Sequence, residues 1–118
     1  ESTKVWVVGF SFGAFIALNL LMRRPEIQNF IAISPPADKY DFSFLAPCPV
    51  SGMIMQGDND DIVNETDVAL FANKLDAQRS ISIKYSKVKG ADHFFTDKLD
   101  IVNDTIKKYV SKTLISSS

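Results

Sequence analysis

The sequence predicts an α/β protein: a four-stranded parallel sheet flanked by helices. Apolar runs of strand length alternate with segments of helical character, in the order strand, helix, strand, loop, strand, helix, strand, helix. Alternation of this kind favours a parallel sheet, because each crossover lays a helix against a sheet face. The first three apolar runs lack polar alternation, as strands buried on both faces require. The fourth does alternate, which places it near a rim of the sheet.

Residues 4–8 form the first predicted strand, with Val5, Trp6, Val7 and Val8 unbroken. Residues 13–24 form a helix whose apolar side chains cover nearly its whole circumference, so deep burial is expected. Arg23 and Arg24 suit the dipole at its end, and Pro25 stops it. Residues 30–34 are the second strand, closed by Pro35 and Pro36. Residues 37–47 are irregular; Tyr40, Phe42 and Phe44 either pin this loop to the core or, with Phe10, line a pocket. Residues 50–56 are the third strand, followed by a tight acidic loop over 57–63. Asn64 caps the next helix with Asp67 at its third position. Val68, Phe71, Ala72 and Leu75 fall on one face of that helix.

Residues 81–88 are the fourth strand, with Ile81, Ile83 and Tyr85 alternating against Ser82, Lys84 and Ser86. The loop over 89–96 carries His93. A last helix begins near Asp97, with Leu99, Val102, Ile106, Tyr109 and Val110 as its stripe. One domain over 1–115 and a polar tail over 116–118 account for the chain.

The 118 residues are 46% hydrophobic and 23% charged, an ordinary globular balance that allows one domain at most. A net charge of −1 gives no electrostatic pull toward nucleic acid or membrane. The lysines at 84, 87 and 89 and at 107 and 108 read as solvated faces. The longest apolar run is too interrupted to span a bilayer. The single cysteine, Cys48, allows no internal disulfide, suits a reducing, cytoplasmic setting, and reads as a buried inert thiol.

The chemistry gathers at three junctions. Gly9, Phe10, Ser11, Phe12 and Gly13 form a G-x-S-x-G pentapeptide between the first strand and first helix. In that setting a sharp turn presents the Ser11 hydroxyl at the sheet rim. A Cβ at Gly9 or Gly13 is expected to collide with the neighbouring strand and helix. The N–H of Phe12, at the helix start, can face an oxyanion. The plainer alternative is a glycine-rich connection with a capping serine. The acidic loop and His93 also follow strand carboxyl ends, where ligands sit on open α/β sheets. A serine needs a base within reach, and the base needs an orienting carboxylate. His93 is the only histidine; Asp58, Asp60 and Asp61 compete for the acid.

With the pentapeptide at 9–13, Gly57-Asp58-Asn59-Asp60-Asp61-Ile62-Val63 and Gly90-Ala91-Asp92-His93-Phe94-Phe95, the chain resembles the α/β-hydrolase superfamily. It is most similar to the small, lid-poor serine hydrolases related to dienelactone hydrolases and bacterial esterases. Their acid loop, G-x-x-D-x-x-V, laid on Gly57 and Val63, selects Asp60. Asp58 then supports the turn and Asp61 points to solvent. Asn64 stands where many members have proline. The resemblance implies ester or related acyl hydrolysis by Ser11, His93 and Asp60, with Phe12 N–H as one oxyanion donor. It implies no metal and no organic cofactor, and a small acyl substrate.

The resemblance covers the C-terminal half of the family fold. The loop that supplies the second oxyanion donor lies earlier in that fold, and nothing here matches it. The strand at Val5 to Val8 is therefore expected either to pair through its edge with a second copy or to need an N-terminal half. A catalytically incompetent fragment with a structural or binding role is the alternative function.

Overall fold

The computed structural model describes residues 4–116. Strands β1 (Val5–Phe10), β2 (Ile27–Ile33), β3 (Gly52–Gly57) and β4 (Ile83–Val88) form one sheet in the order β1-β2-β3-β4. Every neighbouring pair is parallel. Between them run α1 (Phe12–Arg23), a 3₁₀ turn at Ser43–Leu45 and α2 (Glu65–Asp76); α3 (Leu99–Ser116) closes the chain. The tail expected over 116–118 has Ser116 as the last residue of α3, and 117–118 lie outside the described residues.

Successive side chains on a strand point to opposite faces, and this splits the core in two. Phe30 and Ala32 of β2 and Ile54 of β3 pack with Ala14, Leu18 and Leu21 of α1 and Val68, Phe71, Ala72 and Leu75 of α2. Ile31, Met53 and Met55 point the other way, to Val102, Ile106, Tyr109 and Val110 of α3. Leu18 and Val68 are fully buried, each worth about 1.5–3 kcal/mol relative to exposure.

Three expectations need correcting. First, α1 is not buried all round: Phe12, Ile16 and Leu20 are 50%, 51% and 43% exposed on its outer face, and Val8 of β1, paired with Ile31 and pointing to the α3 side of the sheet, is 58% exposed. Small Ala14 and Ala17 let the helix seat closely on one side, but no described element covers the other. Second, Leu99 is exposed, because α3 turns its packed stripe onto the sheet only from Val102 onward. Third, strand bounds shift: the first strand ends at Phe10, not residue 8, and the third starts at Gly52, not residue 50. The second strand starts at Ile27, not residue 30; buried Asn29 is tolerated there because its Oδ1 accepts from Tyr109 O–H at 2.8 Å and from Phe30 N–H. The fourth starts at Ile83, not 81, since Ser82 N–H goes to Ser51 Oγ and Ile83 N–H to Asp76 Oδ1.

The α2 cap follows expectation: Asn64 Oδ1 accepts from Thr66 N–H at 2.9 Å. Cys48 is buried, and burial pushes its thiol above the ordinary range, with a hydrogen bond to the Val50 backbone opposing.

Candidate active site

Each strand runs toward the same rim, so the segments that follow β1, β3 and β4 meet there. Ser11 sits between β1 and α1 at φ 56 and ψ −124, a left-handed conformation costing a non-glycine residue about 1–3 kcal/mol. Its own N–H is held by Ile33 O at 2.7 Å. The turn is tight because Gly9 permits it: a Cβ there would lie 2.4 Å from Gly13 O. Gly13 does not follow the same rule. A Cβ at Gly13 meets nothing within 4 Å among the described residues, and the expected collision is absent.

Ser11 heads α1 yet makes no side-chain cap bond. Its Oγ lies 2.8 Å from His93 Nε2 instead, which removes the capping-serine alternative. His93 Nδ1 lies 2.7 Å from Asp60 Oδ2, and neither side chain is more than 3% exposed. Asp60 Oδ1 accepts from the N–H groups of Ile62 and Val63, both at 2.8 Å. Gln56 Nε2 donates to Asp60 Oδ2 at 2.9 Å. Burial pushes the Asp60 carboxyl up, but hydrogen bonds from Val63 N–H, His93, Ile62 N–H and Gln56 outweigh it and hold the group below its ordinary value. An ionised Asp60 only accepts, so the imidazole proton belongs on Nδ1. The Nε2 lone pair then faces the Ser11 hydroxyl.

The line crosses the sheet. Ser11 follows β1 and His93 follows β4, the two outer strands. Three strand spacings separate them, ~14 Å, so the loop carrying His93 must lean inward over β2 and β3. Two anchors hold it there. Ser34, just past β2 and fully buried at φ 51, donates its Oγ–H to His93 O at 3.0 Å. Past β3, Asn59 N–H bonds Ala91 O, and Asp58 Oδ1 accepts from Gly90 N–H at 2.6 Å. Gly57 makes this approach possible, since a Cβ there would lie 2.3 Å from Ala91 O.

The four expected pocket aromatics do not form one wall. Phe10 stands with His93 and Phe94, at ring separations of 5.4 and 5.9 Å. Tyr40 stacks on Phe15 at 4.8 Å and lies 5.3 Å from Phe12. Buried Phe42 packs on Phe15 and Phe71, and Phe44 packs on Phe15 and Phe42, so these two pin the loop to the core. A cavity of about 620 Å³ beside α2 is lined by Tyr40 and Phe42 but by none of Ser11, Asp60 and His93. Asp61 is exposed. Gln56 and Ser34 are the site neighbours that sequence reasoning missed. Their one signal was a polar residue ending an apolar strand, next to Gly57 in one case and Pro35 in the other.

No helix among the described residues is long and apolar enough to cross a membrane. No family model matches the chain. A protein of Rickettsia prowazekii, the uncharacterized protein RP471, is 55% identical over 108 residues, covering 88% of this chain and 45% of that protein. ATU1826 of Agrobacterium tumefaciens, a protein of unknown function provisionally classed as an alpha/beta hydrolase, superposes with a TM-score of 0.93 at 46% identity. That match covers 96% of this chain and 52% of the other. XC6422 of Xanthomonas campestris, described as an α/β serine hydrolase without lid, superposes with a TM-score of 0.79 at 30% identity, over 92% of this chain and 47% of its own.

The fold is that of the α/β hydrolases. The chain spans about half the length of the relatives it matches, in keeping with a C-terminal half of an α/β-hydrolase fold.

Proposed function

We propose that this chain carries the nucleophile, base and acid of a serine hydrolase acting on carboxylic esters or related acyl compounds. The observation that supports this most is the unbroken line Ser11 Oγ, His93 Nε2, His93 Nδ1, Asp60 Oδ2, at 2.8 and 2.7 Å. Ser11 Oγ attacks the acyl carbon while His93 Nε2 takes its proton. Asp60 fixes the imidazole and stabilises the imidazolium that forms. The oxyanion meets Phe12 N–H, which as the first residue of α1 has no intrahelical acceptor. His93 returns the proton to the leaving oxygen, and an acyl group stays on Ser11. Water, deprotonated by His93, then attacks that acyl group and frees the acid and Ser11.

In this reading the second oxyanion donor comes from a preceding segment of a longer protein. The same segment covers the free edge of β1, exposed Val8 on the α3 side of the sheet, and the exposed apolar face of α1 formed by Phe12, Ile16 and Leu20. The length of the relatives, about twice that of the matched region, supports this occupant over a second copy of the chain. Light scattering after size exclusion distinguishes them: a stable two-fold dimer of this chain would favour self-pairing.

The test of activity is covalent labelling by a fluorophosphonate probe, with the modified residue mapped by mass spectrometry. Ser11 is expected to label, and Ser11→Ala and His93→Ala are expected not to. Equal labelling of the parent and His93→Ala would overturn the mechanism. A parent protein that is folded but unlabelled would favour the second reading, a catalytically incompetent fold with a binding or structural role.

A further inference from the structure

Gln56 is the last residue but one of β3 and is fully buried. Its Nε2 donates to Asp60 Oδ2 at 2.9 Å and to Gly57 O at 3.2 Å. Its Oε1, also buried, has no hydrogen-bond partner among the described residues. The amide cannot gain by turning over, because Oε1 would then face a carboxylate and a carbonyl, two groups that only accept. As filler the residue is a poor choice. Methionine has similar length, suits an apolar strand between Met55 and Gly57, and leaves no buried acceptor unpaired. The position makes physical sense only through the N–H that reaches Asp60.

We propose that Gln56 is a positioning residue: its amide N–H locks the Asp60 carboxylate in the orientation that aligns His93 Nδ1. The inference rests on the serine-hydrolase reading for its catalytic consequence, though not for its geometry. Asp60 Oδ1 is already held by two backbone N–H groups, which fix one oxygen but leave the tilt of the other free. Gln56 Nε2 and His93 Nδ1 converge on that second oxygen from different elements, β3 and the loop after β4. With the amide in place, Oδ2 has one position. Without it, Oδ2 can swing toward or away from the imidazole.

The experiment compares the parent with Gln56→Met by two readouts. The first is the His93 Nδ1–H resonance in proton NMR, which needs no turnover. It is expected to shift in Gln56→Met, because a donor to the same oxygen has gone; an unchanged resonance overturns the proposal. The second is hydrolysis of a p-nitrophenyl ester. The expected loss is in kcat, by about 10-fold to 100-fold, with KM and the unfolding midpoint held. Where the parent turns the ester over, equal kcat in parent and variant also overturns it. Where Gln56→Met fails to fold, Gln56→Leu is read by the same resonance. A parent that shows the Nδ1–H resonance, and its shift in the variant, without any labelling of Ser11 loses the hydrolase reading and keeps this one.

Discussion

Replacing Asp60 with asparagine changes one atom and reverses one hydrogen-bonding sense. Asp60 meets four donors: Ile62 and Val63 N–H at Oδ1, and Gln56 Nε2 and His93 Nδ1 at Oδ2. The asparagine oxygen is best kept at the two backbone groups, which cannot turn. Its NH₂ then confronts Gln56 and His93. His93 can relieve the clash by moving its proton to Nε2, where it faces Ser11 Oγ and can no longer accept. Loss of the correct tautomer costs about 10⁴ in kcat, or about 5.4 kcal/mol of barrier. The donor conflict costs about 1–3 kcal/mol of stability besides, a fall of roughly 5–10 °C in the unfolding midpoint for a domain of this size. The assay is the second-order rate of fluorophosphonate labelling at Ser11, beside a thermal melt. A variant that labels within tenfold of the parent while remaining folded would refute the reasoning. The stability gap also depends on pH. The Asp60 carboxyl lies below its ordinary value of 3.8 in the folded state, so the unfolded chain takes up its proton first. Its stabilisation is therefore complete above about pH 5. It is lost as pH falls past 3.8 and through the lower folded value, and the parent and variant melts converge there.

The two elbow glycines should respond oppositely to alanine. Gly9→Ala drives a methyl to 2.4 Å from Gly13 O and is expected to cost about 3 kcal/mol or more by denaturant melt, whereas Gly13→Ala enters open space and leaves stability within about 0.5 kcal/mol. Asp58→Ala removes the acceptor for Gly90 N–H but leaves the loop held by Asn59 N–H to Ala91 O and Ser34 Oγ to His93 O; it is expected to cost about 1 kcal/mol while Ser11 labels at the parent's rate. Asn64→Ala deletes the bond to Thr66 N–H and is expected to lower stability by about 1 kcal/mol, again with labelling unchanged.

The strands and helices were legible because their apolar periods are regular and their ends carry proline or a capping residue. Residues Ser11 and His93 were legible because each follows a strand, and parallel strands share a rim. The acid was not. Nothing local separates Asp58, Asp60 and Asp61; what separates them is that two backbone N–H groups and the Gln56 amide converge on one alone. The buried-helix expectation for α1 failed for a related reason. Hydrophobicity all round a helix says that both faces want cover, not that both have it within these residues. Gln56 and Ser34 escaped notice because a polar side chain closing an apolar strand carries no local sign of its partner. Their roles appear only when the groups they bond, Asp60 in one case and the His93 carbonyl in the other, are brought across the sheet.

The Ser11 hydroxyl and the His93 imidazole belong to opposite margins of the sheet, 82 residues apart in sequence. Fraying at either margin therefore separates them, even while β2 and β3 stay paired. Reactivity becomes a sentinel of the outer strands. In a urea series, labelling of Ser11 should disappear at or before the concentration at which amide exchange accelerates in β2 and β3, and never after it.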